Sequence, residues 1–394
     1  KGFSGTLTRY DPVAYTDLLL PWLNRAAKQT VETPATGWAG KLSDRFFRTM
    51  RSRSGLAAMF ANLTNALQQV TGLSLTAVKV KPAYLKAALM RYVRAPSEVA
   101  DQVAALSPFM ENRLRNQVFE IRQDIDRLLL NPGRYEQAQA WTAKHGYFLQ
   151  QAFQNVVDVI TWAGAFDQAT AEGLNQADAV RAANSAVRET QGSLSPEDIS
   201  RFESGPAFTR LFTQFQSYFN MMANLTGTEL AKVAQEVGLR AGAGRMFYIL
   251  LLAFLVPAWL SEAIVQGMRG GIDDEDDDGY LDEFMAFFFG APLRTAAATV
   301  PVVGQAGMVA YNAFNRKPYD DRMSTAPAVS MLESAASAPN SLYKAISEDG
   351  NWRRAARDTL TLVTLTTGLP AAALGRPIGY AADVAQGRVD PTGP

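Results

Sequence analysis

The chain has 394 residues, and its 38 Lys and Arg residues balance its 38 Asp and Glu residues, so that the formal net charge is zero. Proteins dedicated to nucleic-acid binding usually have a basic excess, and this composition argues against that class. No cysteine is present, which excludes disulfides, thiolate catalysis and zinc–thiolate sites. The one histidine, His145, is expected to be a packing or surface residue.

Helical periodicity begins close to the start of the sequence. Pro21 interrupts a first amphipathic stretch, and we expect the helix to break there. Apolar residues then recur at spacings of three or four between positions 42 and 70, which predicts a helix that Gly72 ends. The chain begins at Lys1 without an initiator methionine and without a signal peptide, and we expect it to be part of a longer protein.

Local signals mark the helices of the middle region. Ser107 followed by Pro108 is typical of a helix start, because serine accepts free backbone N–H groups and proline fits the first turn. Asn175 is expected to cap a later helix. The stretch between positions 135 and 173 predicts one or two helices whose aromatic side chains pack in the core. These aromatic residues include Trp141, Phe148, Phe153 and Trp162.

A strongly amphipathic helix is expected after Pro206. Its apolar stripe is rich in phenylalanine, and so many large aromatic side chains on one face predict contact with another helix. Packing within this chain is the favoured interpretation, and contact with another subunit is the alternative. The residues expected at this helix–helix contact are Phe208, Phe212, Phe215 and Phe219.

The most apolar run, MFYILLLAFLVPAWLSEAIV, covers positions 246–265, and a second run covers 284–303. Joined by a charged loop, the two runs predict an apolar helical hairpin. A bilayer core needs about 20 apolar residues, but charges and prolines such as Glu262 and Pro257 interrupt these runs. A hairpin buried in a water-soluble assembly and a segment that enters membrane in some states both stay open, and a protein that does both is slightly favoured. The residues expected to contact membrane or another subunit are Phe247, Leu250, Leu251, Phe254, Leu255, Trp259, Phe287, Phe288 and Phe289.

The loop between the two apolar runs is acidic. Asp274, Asp276 and Asp278 alternate as in the first half of an EF-hand calcium loop, which makes them a candidate cation site. The twelfth position of that pattern is Met285 instead of the bidentate glutamate. A solvated loop that keeps the hairpin turn in water is therefore the favoured interpretation, and no metal site is predicted.

Catalytic sequence patterns are missing. The sequence has no phosphate-binding glycine loop and no nucleophile elbow. Glu203 and Glu333 each precede a serine, as in peptidoglycan-cleaving transglycosylases, but neither pair is followed by the Gly-Leu-Met-Gln signature of those enzymes. Chance is the favoured explanation. We therefore expect a non-enzymatic protein without a catalytic residue or a cofactor, and peptidoglycan cleavage is the less favoured alternative.

The distribution of these elements predicts the overall organisation. Strand signals are almost absent, which predicts an all-α fold. We expect an elongated multi-helix protein with three regions. These are a soluble helical region at 1–238, an apolar helical hairpin with an acidic loop at 239–303, and a helical C-terminal tail at 304–394.

An ordered series of short motifs resembles a known family. It includes Ser-Pro-Phe-Met-Glu-Asn-Arg at 107–113, Asp-Val-Ile-Thr-Trp-Ala-Gly-Ala-Phe at 158–166 and Ala-Val-Arg-Glu-Thr-Gln-Gly-Ser at 186–193. Phe-Thr-Gln-Phe-Gln-Ser-Tyr-Phe-Asn at 212–220 follows, and then the apolar hairpin. Over roughly residues 45–390 the chain resembles the C-terminal region of phage large polyvalent proteins and of the internal virion, or ejection, proteins of short-tailed phages.

The resemblance implies a structural role, because the enzymatic activities of that family lie in other parts of those chains. It implies storage in the virion interior, release with the genome, and assembly in the host envelope (periplasm, inner membrane or both), where such proteins help to form a channel for DNA. The implied partners are further copies of the chain, other ejection or virion proteins and the host membrane, with phage DNA as a sequence-independent candidate. Some giant virion RNA polymerases end in a similar region, so a non-catalytic packaging or translocation domain of such a polymerase is the alternative.

Overall fold

The protein is all-α in every part that the structure, a computed structural model, describes, and the predicted fold class is confirmed. No β-strand occurs in these residues. The described residues are 11–28, 37–60, 62–116, 133–192, 210, 216–267, 286–290, 292–293, 295, 327–347, 352–371, 373 and 375.

We number the α-helices in chain order. The first seven are α1 (Leu20–Lys28), α2 (Gly37–Met59), α3 (Leu63–Gln68), α4 (Gly72–Lys79), α5 (Pro82–Arg94), α6 (Pro96–Leu106) and α7 (Pro108–Asn116). The next four are α8 (Arg134–Gly146), α9 (Phe148–Ala171), α10 (Gln176–Thr190) and α11 (Gln216–Glu236). The last four are α12 (Ala243–Leu250), α13 (Val256–Gly267), α14 (Pro327–Ser347) and α15 (Trp352–Thr367).

A wide π turn replaces the helix break that was expected at Pro21. Proline has no N–H, and its ring clashes with the carbonyl four residues earlier, so a wider turn relieves the clash and lets the helix continue. Before Pro21, the N–H of Leu20 bonds to the carbonyl of Tyr15, five residues back. The expectation that Pro21 breaks the helix is therefore wrong. The three π turns, each ending two residues before a proline, are Ala14–Leu19, Leu251–Leu255 and Ala286–Gly290.

Gly72 starts a helix instead of ending one, which corrects the sequence interpretation. Helix α2 ends at Met59, and Asn62 caps α3 by accepting a hydrogen bond from the N–H of Asn65 at 3.1 Å. A short 3₁₀ turn then leads directly into α4. The reason for a glycine at this point is a tertiary contact, because a Cβ on Gly72 would lie 2.7 Å from Oε1 of Gln191.

Two caps predicted from the sequence are confirmed. The hydroxyl of Ser107 accepts a hydrogen bond from the N–H of Met110 at 3.2 Å at the start of α7. The side chain of Asn175 accepts one from the N–H of Asp178 at 3.0 Å at the start of α10. Both caps satisfy backbone donors within a few residues of the capping residue, which is why sequence alone reveals them.

Helix α9 is the centre of the first core cluster, which it forms with residues of α5, α6, α7 and α10. Trp162 is 1% exposed, and its ring stacks on Phe166 with centroids 5.0 Å apart. The predicted aromatic stretch forms two helices, α8 and α9, that meet at Tyr147. Trp162 confirms the expected core packing, but Trp141 and Phe148 are 58% and 53% exposed, so the expectation is wrong for these two. The other buried members of this cluster include Val80, Ala88, Val99, Val103, Met110, Val159, Ile160, Ala183 and Val187.

A buried polar group fixes α4 against α9 and α10. Nε2 of Gln191 donates to the carbonyl of Gly72 at 3.1 Å and to the hydroxyl of Thr76 at 2.9 Å. The hydroxyls of Thr76 and Thr161 share a hydrogen bond at 2.7 Å. All three side chains are almost fully buried, and each would destabilise the fold if it lacked a partner.

A buried ion pair adjoins this polar group. Nε and Nη2 of Arg113 donate to the two carboxylate oxygens of Asp158 at 2.7 and 3.2 Å, and Nη2 also donates to the carbonyl of Gly192 at 2.8 Å. The side chain of Asp158 is fully buried and that of Arg113 is 9% exposed. The pair therefore connects α7, α9 and the segment after α10. Three of the motifs that carry the family resemblance contribute these residues.

The two C-terminal helices pack on each other and on α2. Nη1 of Arg53 in α2 donates to the carbonyls of Leu365 and Thr366, the former at 2.7 Å, at the end of α15. Gly368 follows with a φ of +72°, the left-handed conformation that commonly ends a helix. These contacts fix the end of α15 on the N-terminal part of the chain.

We expect Arg113→Met to lower the free energy of unfolding by about 3–5 kcal/mol, because it leaves the carboxylate of Asp158 buried without its cation. The matched control is Arg115→Met. Arg115 is 75% exposed and pairs with Glu111 on the surface, so its loss should change stability by about 1 kcal/mol or less. Urea unfolding followed by circular dichroism measures both. Equal losses in the two variants would contradict a structural role for the buried pair.

Candidate functional site

A helix long and apolar enough to cross a membrane is the main feature of the candidate site. It extends over Ala243–Ile264, formed by α12, the π turn and most of α13, and we call it the apolar helix. Its 22 residues have an 18-residue window with a mean hydropathy of 2.0, of which 22% is buried. At 1.5 Å per residue it is about 33 Å long, against about 30 Å for a bilayer core. It is the only helix with these properties in the part of the chain that the structure describes.

One face of the apolar helix packs on the rest of the protein through a second core cluster. Ile249 and Ala253 of the helix are 1% and 0% exposed. They contact apolar side chains of α4 and α11. The sequence analysis did not single out these two residues. The other buried members of the cluster are Leu75, Val78, Met222, Leu225 and Val233.

The residues predicted to contact membrane or another subunit divide into two groups. The exposed ones, with their exposed fractions, are Phe247 (62%), Leu250 (40%), Phe288 (40%) and Phe289 (63%). The partly buried ones are Leu251, Phe254, Leu255 and Trp259, and Phe254 packs against the second core cluster. Phe287 lies in the π turn at Ala286–Gly290. The exposed group gives the apolar helix and the adjacent π turn an apolar surface that stays exposed among the residues described by the structure.

The two apolar runs of the sequence meet at Trp259. Its indole N–H donates to the carbonyl of Phe288 at 3.2 Å, and the two rings lie 4.9 Å apart. Most of the second run lies outside the described residues. The candidate cation residues Asp274, Asp276 and Asp278 also lie outside the described residues.

A tight turn joins α11 to the apolar helix. Gly238 has a φ of +86°, which favours glycine because other residues lose roughly 1–2 kcal/mol in this conformation. The N–H of Gly242 donates to the carbonyl of Gly238 at 2.9 Å, and a Cβ on Gly242 would lie 2.8 Å from that oxygen. The glycine-rich stretch therefore forms a compact turn instead of the loose joint that its composition suggests.

Of the four phenylalanines predicted at a helix–helix contact, the structure describes Phe219. It lies in α11, contacts Tyr218 edge-on with centroids 5.5 Å apart, and packs against the second core cluster. Phe208, Phe212 and Phe215 lie outside the described residues. Phe219 therefore serves packing within the chain, on the same helix that turns into the apolar helix.

A lysine on α4 pairs with two glutamates. It thereby connects α10 of the first core to α11, the helix that precedes the apolar helix. Nζ of Lys79 in α4 lies 2.5 Å from Glu189 in α10 and 2.7 Å from Glu229 in α11. The side chain of Glu229 is only 6% exposed, so its charge depends on this contact. We call these three residues the ion triad. The sequence offered one signal for it, since Glu229 falls on the buried stripe of α11 that also contains Met222 and Val233.

The ion triad changes the pKa of two of its members. Burial by itself raises the pKa of Glu189, but hydrogen bonds from Lys79 and Ser185 and the nearby positive charges outweigh it and hold the pKa below 4.5. Burial likewise opposes the charge of Lys79, but hydrogen bonds to Glu189 and Glu229 raise its pKa above 10.5. Lys79 and Glu189 are therefore both charged throughout the neutral range.

Few of the residues considered as metal-binding or catalytic candidates lie in the described ranges. No group of three or more His, Asp or Glu residues in those ranges could hold a metal ion. Glu333 lies on α14, and Glu203 lies outside the described residues. His145 stacks on the exposed Trp141 with centroids 4.5 Å apart.

The chain matches no known protein family, no curated protein and no solved structure.

We expect Lys79→Met to lower the free energy of unfolding by about 2–3 kcal/mol, because Glu229 keeps only the more distant Lys232, at 3.5 Å. Lys81→Met is the matched control. Lys81 pairs with Glu172 on the surface, where both side chains are exposed, and its loss should have a much smaller effect. Urea unfolding measures the difference. Similar midpoints for the two variants would show that the ion triad adds nothing to stability.

The contribution of the ion triad should also depend on pH. Because the pKa of Glu189 is lowered in the folded protein, its contribution is present above its ordinary pKa of 4.5 and is lost as pH falls through the lowered value. Because the pKa of Lys79 is raised in the folded protein, its contribution to stability is lost only when the pH rises above 10.5. The difference in melting temperature between wild type and Lys79→Met should therefore be constant near neutrality and shrink in acid. A difference that stays constant as the pH falls below 4.5 into the acid range would contradict this assignment.

Proposed function

We propose that this chain is a structural, non-enzymatic component of a phage DNA-ejection apparatus, and that its apolar helix contacts lipid in the host envelope. The observation that carries the proposal is the exposed face of a helix long enough to span a bilayer. Several large apolar side chains exposed on and beside such a helix are typical of a site that contacts lipid or another subunit. The motif series that resembles phage ejection proteins supplies the biological setting.

The way the apolar helix is held supports a protein that must be stable in water before it meets lipid. One face is covered by α4 and α11, which reduces the apolar area in contact with water. Arg245 and Glu262 add charges within the helix, and Pro257 is accommodated by the π turn. A span without these features would be more prone to aggregate during storage.

The exposed face also fits self-association. Phe247, Phe288 and Phe289 are large apolar side chains that a second copy of the chain could cover as well as lipid could. In the proposed apparatus, copies of the chain and other ejection proteins surround a passage for DNA across the envelope. Because the net charge of the chain is zero, DNA would pass through such a channel without binding strongly to its wall.

Flotation with phosphatidylcholine vesicles tests the lipid contact. We expect wild type to float, and the double variant Phe247→Ser, Leu250→Ser to partition at least about tenfold less, because two apolar side chains leave the lipid. The matched control is Val93→Ser, Leu89→Ser on α5. Its residues are 69% and 39% exposed, close to the 62% and 40% of the test pair.

The control variant should float like wild type, and all three proteins should melt at similar temperatures. Equal loss in both double variants would contradict a specific role for the apolar helix. Absence of flotation by wild type, together with a strictly monomeric protein in sedimentation, would overturn the membrane proposal. The ejection role is checked separately, by following the chain from purified virions into the envelope of infected cells, and its absence from virions would contradict it.

A further inference from the structure

The apolar helix has a basic end. Arg240 lies in the turn before it, and Arg245 lies in its first turn. Both side chains are exposed, and neither forms an ion pair with any residue in the described ranges. Other exposed cations of the protein, such as Lys81 and Arg91, do form such pairs. The other end of the apolar helix carries the acidic Glu262.

The position of the two arginines is set by the dimensions of the helix. When about 33 Å of helix occupies the roughly 30 Å bilayer core, its N-terminal residues lie at the level of the headgroups. Arg245 is two residues inside the helix, and its long side chain can extend its guanidinium outward to that level. The exposed Phe247 follows two residues later, at a depth where aromatic side chains commonly lie in membrane proteins.

We propose that Arg240 and Arg245 bind the phosphate groups of acidic phospholipids, so that the N-terminal end of the apolar helix stays at an anionic bilayer surface. The guanidinium group suits this partner because its planar set of donors matches the oxygens of a phosphate. The inference rests on the proposed membrane contact and adds the lipid class and the orientation of the helix. The basic end faces the anionic leaflet, and the end with Glu262 is directed away from it.

Vesicle flotation with and without phosphatidylglycerol in a phosphatidylcholine background tests the inference on the full chain. Wild type should bind the anionic vesicles more tightly than the neutral ones, and high salt should remove that advantage. Arg240→Gln, Arg245→Gln should lose about 30-fold in binding to anionic vesicles and little in binding to neutral ones, since each cation near an anionic surface contributes about a factor of five.

Two controls separate the site from the overall charge. Arg94→Gln, Arg134→Gln removes two other exposed arginines, lowers the net charge by the same amount, and should keep the preference for anionic vesicles. Arg240→Lys, Arg245→Lys keeps both charges and should keep most of the preference, with a loss that reflects the guanidinium geometry.

The outcomes distinguish this inference from the proposed function. If wild type binds neutral and anionic vesicles equally, or if the two glutamine pairs lose equally, the inference is wrong and the membrane contact stands. If wild type binds neither kind of vesicle, the membrane contact itself is wrong and the inference fails with it. If free phosphate at the concentration of the lipid headgroups abolishes the preference, the arginines bind phosphate without a bilayer, and the orientation is wrong.

Discussion

The side-chain amide of Gln191 holds the short helix α4 against the first core, and α4 in turn contributes to the second core cluster on which the apolar helix packs. The amide reaches both the carbonyl of Gly72 and the hydroxyl of Thr76, and it can do so because Gly72 has no side chain in its path. With its polar side fixed on the first core, α4 presents Leu75 and Val78 on its other side. Those two residues, with apolar residues of α11, form the surface on which the apolar helix packs.

The two sides of α4 therefore use different kinds of interaction. On the first-core side, buried hydrogen bonds and ion pairs require particular partners. Loss of one partner lowers the free energy of unfolding, because the other partner stays buried without a hydrogen bond or a counter-charge. On the other side, apolar contact is less directional, and lipid can replace much of it. Polar links to the apolar helix do exist, as between Gln68 and Ser261 at 2.6 Å. The buried polar contacts of the first core described above, in contrast, involve no residue of the apolar helix.

Sequence alone predicted the features that depend on near neighbours. The all-α fold and the caps at Ser107 and Asn175 follow from periodicity and from bonds across three residues. The role of Gly72 could not be predicted, because the contact that requires glycine comes from Gln191, more than a hundred positions later. In the candidate site, the sequence identified the apolar residues but not which face is covered, since that depends on where α4 and α11 lie. The role of Glu229 in the ion triad was missed for the same reason, because its partner Lys79 lies on α4.

The π turn at Leu251–Leu255 has a consequence for how the chain could vary among related proteins. A π turn contains one residue more than the α turn that it replaces, so it acts as an insertion inside a continuous helix. Deletion of one residue there would replace the wide turn by a regular α turn, and the two halves of the helix would keep nearly the same relative orientation because the extra residue is accommodated locally. Trp259 would still face Phe288, but in a regular helix the ring of Pro257 would clash with the carbonyl four residues earlier. A relative of this protein that lacks the extra residue should also lack Pro257.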